Sequence, residues 1–258
     1  MILEYKGVNI FYTDDGQGEA IILLHGFLEN HTIWNPFILD LAKKNRVVTL
    51  DLPGHGKSGC LGYIHTMEMM ADVLKATLMY LKINKFQLIG HSMGGYIALA
   101  FLEAYPNYAQ SITLVNSTSL DDSPEKKTNR DRAIVAVKHD YKTFIRIAIS
   151  NLFNQKNKGK FKQEIDNITN EALKTPLQGI VAALEGMKIR KNRAEIIKSF
   201  NGKKMMIASK EDPVLSYNLL VEESKRANVQ MVVFPDGHMS IIENKGLFLQ
   251  QIMHFIEK

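Results

Sequence analysis

The sequence predicts an α/β fold: a mostly parallel central sheet of about eight strands, flanked by helices and interrupted by one helical insertion. Three observations lead there. Up to Asn116, short apolar runs alternate with helix-period stretches. From about Asp121 to Phe200 the chain reads as helical and polar, with no convincing strand. Strand grammar then returns at Lys204–Ala208 and Val229–Phe234, before a closing helix over Lys245–Ile256.

Taken in order, Ile2–Lys6 and Val8–Thr13 flank Gly7 and read as a hairpin, followed by the loop Asp14-Asp15-Gly16-Gln17-Gly18. Ala20–Leu24, Arg46–Leu50, Phe86–Gly90 and Ser111–Val115 are continuous apolar runs, the pattern of strands covered on both faces. Helices are expected over Trp34–Lys43, Thr66–Leu81 and Met93–Tyr105, the last stopped by Pro106. Within the insertion, Asp131–Phe153, Lys160–Leu173 and Leu177–Ile189 carry apolar positions at helical spacing.

Composition narrows the class. The chain has 258 residues, 45% of them hydrophobic and 23% charged, ordinary for a globular protein. The segment Met1–Lys6 lacks the basic-then-apolar pattern of a signal peptide, and no apolar run is long enough to cross a bilayer. Cys60, the single cysteine, has no partner for a disulfide or a cysteine-rich metal site. A cytoplasmic location is expected. The net charge of +5 is uneven: residues 120–200 hold 17 Lys and Arg against 10 Asp and Glu, the remainder 15 against 17. A solvated helical surface is the plain reading; attraction of an anionic substrate or partner is the sharper one. No basic stripe is interleaved with aromatics, so nucleic acid is not an expected partner. Neither is a membrane, and a small-molecule substrate is; nothing in the sequence fixes the oligomeric state.

The most informative feature is Gly90-His91-Ser92-Met93-Gly94, lying directly after Phe86–Ile89 and directly before Tyr96–Leu102. A strand that turns straight into a helix bends sharply at its middle residue. That residue is strained and its side chain projects above the sheet edge. The flanking residues approach each other closely, which Gly90 and Gly94 permit and Gly95 extends. The hydroxyl also lies at a helix N-terminus, where free N–H groups favour negative charge. The competing role for Ser92 is a simple helix cap.

A nucleophilic serine needs a base, and the base needs an orienting acid. Such groups converge just past parallel strands. After Val229–Phe234 comes Pro235-Asp236-Gly237-His238, which offers His238 as base. After Lys204–Ala208 comes Ser209-Lys210-Glu211-Asp212-Pro213-Val214, which offers Asp212 as acid, with Glu211 and Asp236 as rivals. Asn116, at the end of an earlier strand, cannot supply a charge. The oxyanion requires two donors: the N–H of Met93, the residue after the nucleophile, and the N–H of Phe27 in His25-Gly26-Phe27, the loop after Ala20–Leu24.

With these motifs in view, the chain resembles the α/β-hydrolase fold superfamily along nearly its whole length. His25-Gly26-Phe27, Asp51-Leu52-Pro53-Gly54-His55-Gly56-Lys57-Ser58, Gly90-His91-Ser92-Met93-Gly94-Gly95, Glu211-Asp212-Pro213-Val214 and Gly237-His238 stand in that family's order. The resemblance implies core segments over 1–119 and 201–258, and a helical cap over 120–200 inserted after the sixth strand. It implies that the Asp51–Ser58 turn is mainly structural and that Phe27 and Met239 border the substrate pocket. His25 and Gly26 are expected there too. In the insertion, Tyr141, Phe144, Phe153, Leu184 and Met187 are pocket candidates, with helix packing as the competing role.

The implied activity is hydrolysis of a small ester or related acyl substrate through a Ser92 acyl-enzyme, with no cofactor and no metal. Dehalogenases and epoxide hydrolases of this fold place Asp where this chain has Ser92. Carbon–carbon bond hydrolases, perhydrolases and the menaquinone-pathway lyase keep similar motifs; His25-Gly26-Phe27-Leu28 with Trp34 looks somewhat like that lyase, whose substrate is anionic. A ligand receptor that retains a triad is a further alternative.

Overall fold

The computed structural model describes residues Met1–Glu257. In chain order its elements are β1 (Ile2–Tyr5), β2 (Val8–Gly16), β3 (Glu19–Leu24), a short 3-10 turn (His31–Trp34), α1 (Asn35–Leu41), β4 (Asn45–Leu50), α2 (Met67–Tyr80), β5 (Phe86–His91), α3 (Met93–Ala104) and β6 (Ala109–Val115). There follow α4 (Pro124–His139), α5 (Tyr141–Leu152), α6 (Lys162–Ala172), α7 (Leu177–Lys188), α8 (Ala194–Ser199), β7 (Lys203–Ser209), α9 (Tyr217–Ala227), β8 (Gln230–Phe234), α10 (Ser240–Glu243) and α11 (Lys245–Glu257).

The eight strands form one sheet in the order β1-β2-β4-β3-β5-β6-β7-β8. The β1–β2 and β2–β4 pairings are antiparallel and the others parallel, the α/β architecture the sequence predicts. Lys6 and Gly7 both take positive φ, 50° and 78°, so a two-residue turn closes the first hairpin with the twist its strands need. The central strands are apolar on both faces because both are covered: Ile21, Ile22, Leu23 and Leu24 are buried in β3, as are Leu88 and Ile89 in β5. One helical layer runs α2–α3–α8–α9; α1 and α11 pack together through Trp34, Phe37 and Phe248, with the Phe37 and Phe248 rings 4.8 Å apart.

The order around β3 positions the site. The chain leaves β3 for β4 on one side and returns to β5 on the other. The loops after β3 and β5 therefore diverge and leave a crevice at the C-terminal edge of the sheet, where ligands bind in open α/β sheets.

Five helices separate β6 from β7. Here α4 packs on α5 and α7, and α5 on α6, whereas α8 packs on α3 and α9. The structure corrects the sequence reading in two places. The stretch 131–153 is two helices, broken at Asp140, whose carboxylate caps α5 by accepting the Thr143 N–H. The first of them begins at Pro124 behind an N-cap at Ser123, because its first turns are polar and carry no apolar period. The helices α8, α9 and α10 were not expected.

Candidate active site

Ser92 sits between β5 and α3 with φ 49° and ψ −115°, a left-handed conformation that strains any residue but glycine. The surroundings hold it there. Its N–H donates to the Val115 carbonyl at 2.9 Å, and its own carbonyl accepts from Gly95 N–H at 3.0 Å and Ser117 Oγ at 2.8 Å. A Cβ on Gly94 would run into the Leu24 carbonyl, and one on Gly95 into the Ser117 side chain. The Ser92 side chain makes no capping bond to α3. It turns instead toward His238.

Ser92 Oγ lies 2.9 Å from His238 Nε2, and His238 Nδ1 lies 2.8 and 3.0 Å from the two oxygens of Asp212. The loop after β8 is fixed from behind. His238 N–H donates to the Leu152 carbonyl at 2.8 Å, and Gly237 N–H to Glu243 Oε1 at 3.0 Å. Gly237 is obligatory, since a Cβ would lie 2.5 Å from Asn154 N and 2.7 Å from the Leu152 carbonyl. The Asp212 carboxylate also accepts from Asn116 Nδ2 at 3.0 Å, from Val214 N–H at 2.8 Å and from Leu215 N–H at 3.0 Å. Burial alone would raise its pKa. The facing His238 and these hydrogen bonds outweigh burial and hold the carboxyl below the usual carboxylate range. The rival acids point elsewhere: Glu211 is exposed, and Asp236 accepts from Asn157.

Across the crevice lies the loop after β3. Phe27 is half-buried. Neither its N–H nor that of Met93, the first residue of α3, has an acceptor among the described residues. Gly26 and His25 serve the loop itself rather than a pocket. Gly26 N–H donates to Glu29 Oε2 at 2.6 Å; His25 lies 2.8 Å from the Gly26 carbonyl through Nδ1 and accepts Leu52 N–H at 2.9 Å through Nε2. The Asp51–Ser58 turn packs below, its Asp51 carboxylate accepting from His31 and Lys57.

Two cavities of about 380 Å³ each lie nearby, and neither is bordered by Ser92, His238, Asp212, Phe27 or Met93. One lies between the Leu28–Ile33 segment and α6, bordered by Leu28, Glu29, Asn167 and Ile168. The other lies between α4, α7 and the segment after Asp212, bordered by Tyr96, Lys126, Arg130, Leu184, Pro213 and Val214. Of the expected pocket residues, Leu184 borders a cavity. Met187, Met239 and Phe153 are core side chains, and His25 and Gly26 are buried. Tyr141 and Phe144 pack against the core and border neither cavity. Apolar side chains on these helices were drawn inward, because packing them together buries more area than leaving them along an open cleft.

Part of the insertion's basic charge is paired within the fold. Buried Arg190 pairs with Asp122, as does Arg130, and buried Arg193 pairs with Glu68 and Glu103. Lys126 is half-buried beside the second cavity and has no ion-pair partner among the described residues. Burial, with Arg190 and Arg130 nearby, pulls its ammonium below the ordinary lysine range despite the pull of Asp122. Among the described residues no group of three or more His, Cys, Asp or Glu side chains is arranged to hold a metal ion, and no helix is long and apolar enough to cross a membrane.

Three participants escaped the sequence reading. Asn116, dismissed there for want of charge, bridges Asp212, Ser209 and Ser240. Its place just past β6 was the available signal. Glu29 and His91 form a buried pair at 2.9 Å, and nothing in their spacing announces it.

The family model for the alpha/beta hydrolase fold matches residues 19–157. Over 110 residues, 42% of this chain and 40% of the relative, the sequence is 34% identical to a pimeloyl-[acyl-carrier protein] methyl ester esterase of Aliivibrio salmonicida. Over 116 residues, 43% of this chain and 42% of the relative, it is 30% identical to a putative 2-succinyl-6-hydroxy-2,4-cyclohexadiene-1-carboxylate synthase of Bacillus subtilis. The aligned stretch thus spans less than half the length of these curated relatives. In structure the chain is similar to a thermophilic esterase from Thermogutta terrifontis, with a TM-score of 0.92 and 28% identity over 99% of this chain and 96% of that one. With its sheet order, its strained serine turn and this match to more than half its length, the chain belongs to the alpha/beta hydrolase fold family.

Proposed function

We propose that this protein is a serine hydrolase that cleaves a small carboxylic ester, with Ser92 as nucleophile, His238 as general base and Asp212 as the orienting acid. The observation that carries this reading is the unbroken chain from Ser92 Oγ through both ring nitrogens of His238 to Asp212. With Nδ1–H donated to Asp212, the Nε2 lone pair of His238 faces the hydroxyl and accepts its proton as Ser92 Oγ attacks the ester carbonyl. The tetrahedral oxyanion takes hydrogen bonds from the Phe27 and Met93 N–H groups, at the positive end of α3. The imidazolium then protonates the leaving alcohol. Water, deprotonated by His238, attacks the acyl-enzyme, and the acid departs as Ser92 Oγ recovers its proton.

Helices α4–α7 form the cap over this centre. The α8 contacts with α3 and α9 favour a cap that ends before Ala194 rather than at residue 200.

The test is turnover of p-nitrophenyl esters of increasing acyl length. Multiple turnovers on short esters, lost in Ser92→Ala, are expected. A single stoichiometric turnover would indicate a receptor with a triad, and no reaction with any ester would reject the esterase.

A second reading, lyase or carbon–carbon cleavage chemistry on an anionic substrate, is favoured by Lys126, a cation without an ion-pair partner beside the segment that follows Asp212. It requires that a carboxylate-bearing substrate lose affinity in Lys126→Ala while a neutral ester does not.

A further inference from the structure

Two buried histidines flank the reacting centre, and their partners differ in kind. His25 has one acceptor and one donor: Nδ1 faces the Gly26 carbonyl at 2.8 Å and Nε2 accepts Leu52 N–H at 2.9 Å. A neutral ring protonated on Nδ1 satisfies both. His91 has two acceptors. Its Nδ1 lies 2.9 and 3.0 Å from the Glu29 carboxylate oxygens, and its Nε2 lies 3.1 Å from the His238 carbonyl. One ring proton cannot serve both, and a lone pair facing either acceptor in a dry interior is costly. Both residues are buried, Glu29 at 4% exposure and His91 at 0%.

The same carboxylate holds the opposite side of the crevice. Glu29 Oε2 accepts Gly26 N–H at 2.6 Å, and Glu29 N–H donates to the Gly26 carbonyl at 3.3 Å. His25 Nδ1–H donates to that carbonyl as well. The Gly26 C=O and the Phe27 N–H belong to one planar, trans peptide, so fixing the carbonyl aims the N–H the other way. A Cβ on Gly26 would lie 3.0–3.1 Å from the Glu29 carboxyl and would press it out of place.

We propose that Glu29 and His91 form a buried carboxylate–imidazolium strut that joins the Phe27 donor loop to the backbone of His238, making both of them positioning residues for the hydrolysis proposed above. The strut rests on that reading for its purpose, but not for its chemistry. Directions of titration agree: Glu29 pulls His91 above the ordinary histidine range against burial, and His91 pulls Glu29 below the carboxylate range against burial. The other charged or titratable groups facing the pair are Asp212, from the loop after β7, His238, after β8, and His25, after β3. Asp212 adds to the field that keeps His91 protonated, and neutral His25 does not oppose it.

The test pairs a spectroscopic readout with kinetics on the full chain. Nitrogen-15 spectra of the histidine rings, with His91 assigned by its loss in His91→Gln, are expected to show both His91 nitrogens still protonated above pH 6.5, where an ordinary ring is mostly neutral. Glu29→Gln is expected to cut kcat on a p-nitrophenyl ester by roughly 10²-fold, the scale of one lost oxyanion donor, with KM changed less than about threefold. Glu29→Gln/His91→Gln removes both charges and keeps the test open should the single variant misfold. A neutral His91 ring in an active wild type overturns the strut and leaves the hydrolase intact. A rise in KM at unchanged kcat overturns the positioning role. A protonated His91 in a wild type inert to every ester overturns the hydrolase, and the positioning role with it.

Discussion

Asn116 Nδ2 donates to Asp212 Oδ2 at 3.0 Å, and the same amide nitrogen lies 2.9 Å from Ser209 Oγ. Asn116 has φ 44°, a left-handed conformation that Asn tolerates better than most residues. A neutral side chain thus stands against the buried acid from the neighbouring strand end. Asn116→Asp would set a second carboxylate there, disfavouring ionisation of both acids. The acid limb of the pH–kcat/KM profile is expected to move up by about one unit. An unmoved limb would detach Asn116 from the Asp212–His238 pair.

The strain at Ser92 separates stability from activity. Ser92→Gly relieves a left-handed non-glycine residue, worth roughly 1–2 kcal/mol, against a backbone-entropy cost of similar size. Thermal unfolding is expected at or above the wild-type midpoint, with ester turnover reduced by at least about 10⁴-fold. A clear drop in midpoint would mean that the Ser92 side chain contributes packing which the geometry does not reveal.

Helix α7 meets the segment 54–65 through two glycines seven residues apart, hence on one face. A Cβ on Gly179 would strike the Gly54 carbonyl and one on Gly186 the His65 carbonyl, while His65 N–H donates to the Ala182 carbonyl at 2.9 Å. Gly186→Ala is expected to destabilise the protein by about 1–3 kcal/mol, the usual range for overpacking. Denaturant titration checks this, and an unchanged midpoint would show that α7 can shift away.

Acid sensitivity follows from buried neutral histidines. Burial pushes His55 down to about 3 and His65 down to about 4. Both are lowered from an unfolded value near 6.5, so below that value the unfolded chain binds more protons. Their contribution is whole above about pH 6.5 and is lost as the pH falls toward 4 and 3. Urea midpoints are expected to fall steeply between about pH 6.5 and 4, and less steeply in His55→Gln. Parallel curves for the two proteins would show that other groups govern the loss.

Much of this was legible in the sequence because it is local. Continuous apolar runs marked the buried strands, and placement just past β5, β7 and β8 singled out Ser92, Asp212 and His238, which the fold brings into contact. What escaped was what depends on distant partners. Helix α9 went unread because its inward face carries Glu223, which accepts from Thr118 and Ser119, so it shows no clean apolar period. Glu29 reads as an ordinary loop acid until β5 brings His91 beside it. Met187 reads as a pocket candidate because spacing alone does not tell a cleft-lining side chain from one packed in the core, and Met239, placed there by resemblance, is likewise packed in the core.

Covalent labelling tests the central claim most directly. A fluorophosphonate, followed by peptide mass spectrometry, is expected to add one phosphonyl group to Ser92, and to do so at least about 10²-fold more slowly in His238→Gln. An adduct elsewhere, or on Ser92 at an equal rate without His238, would contradict a serine activated by that histidine.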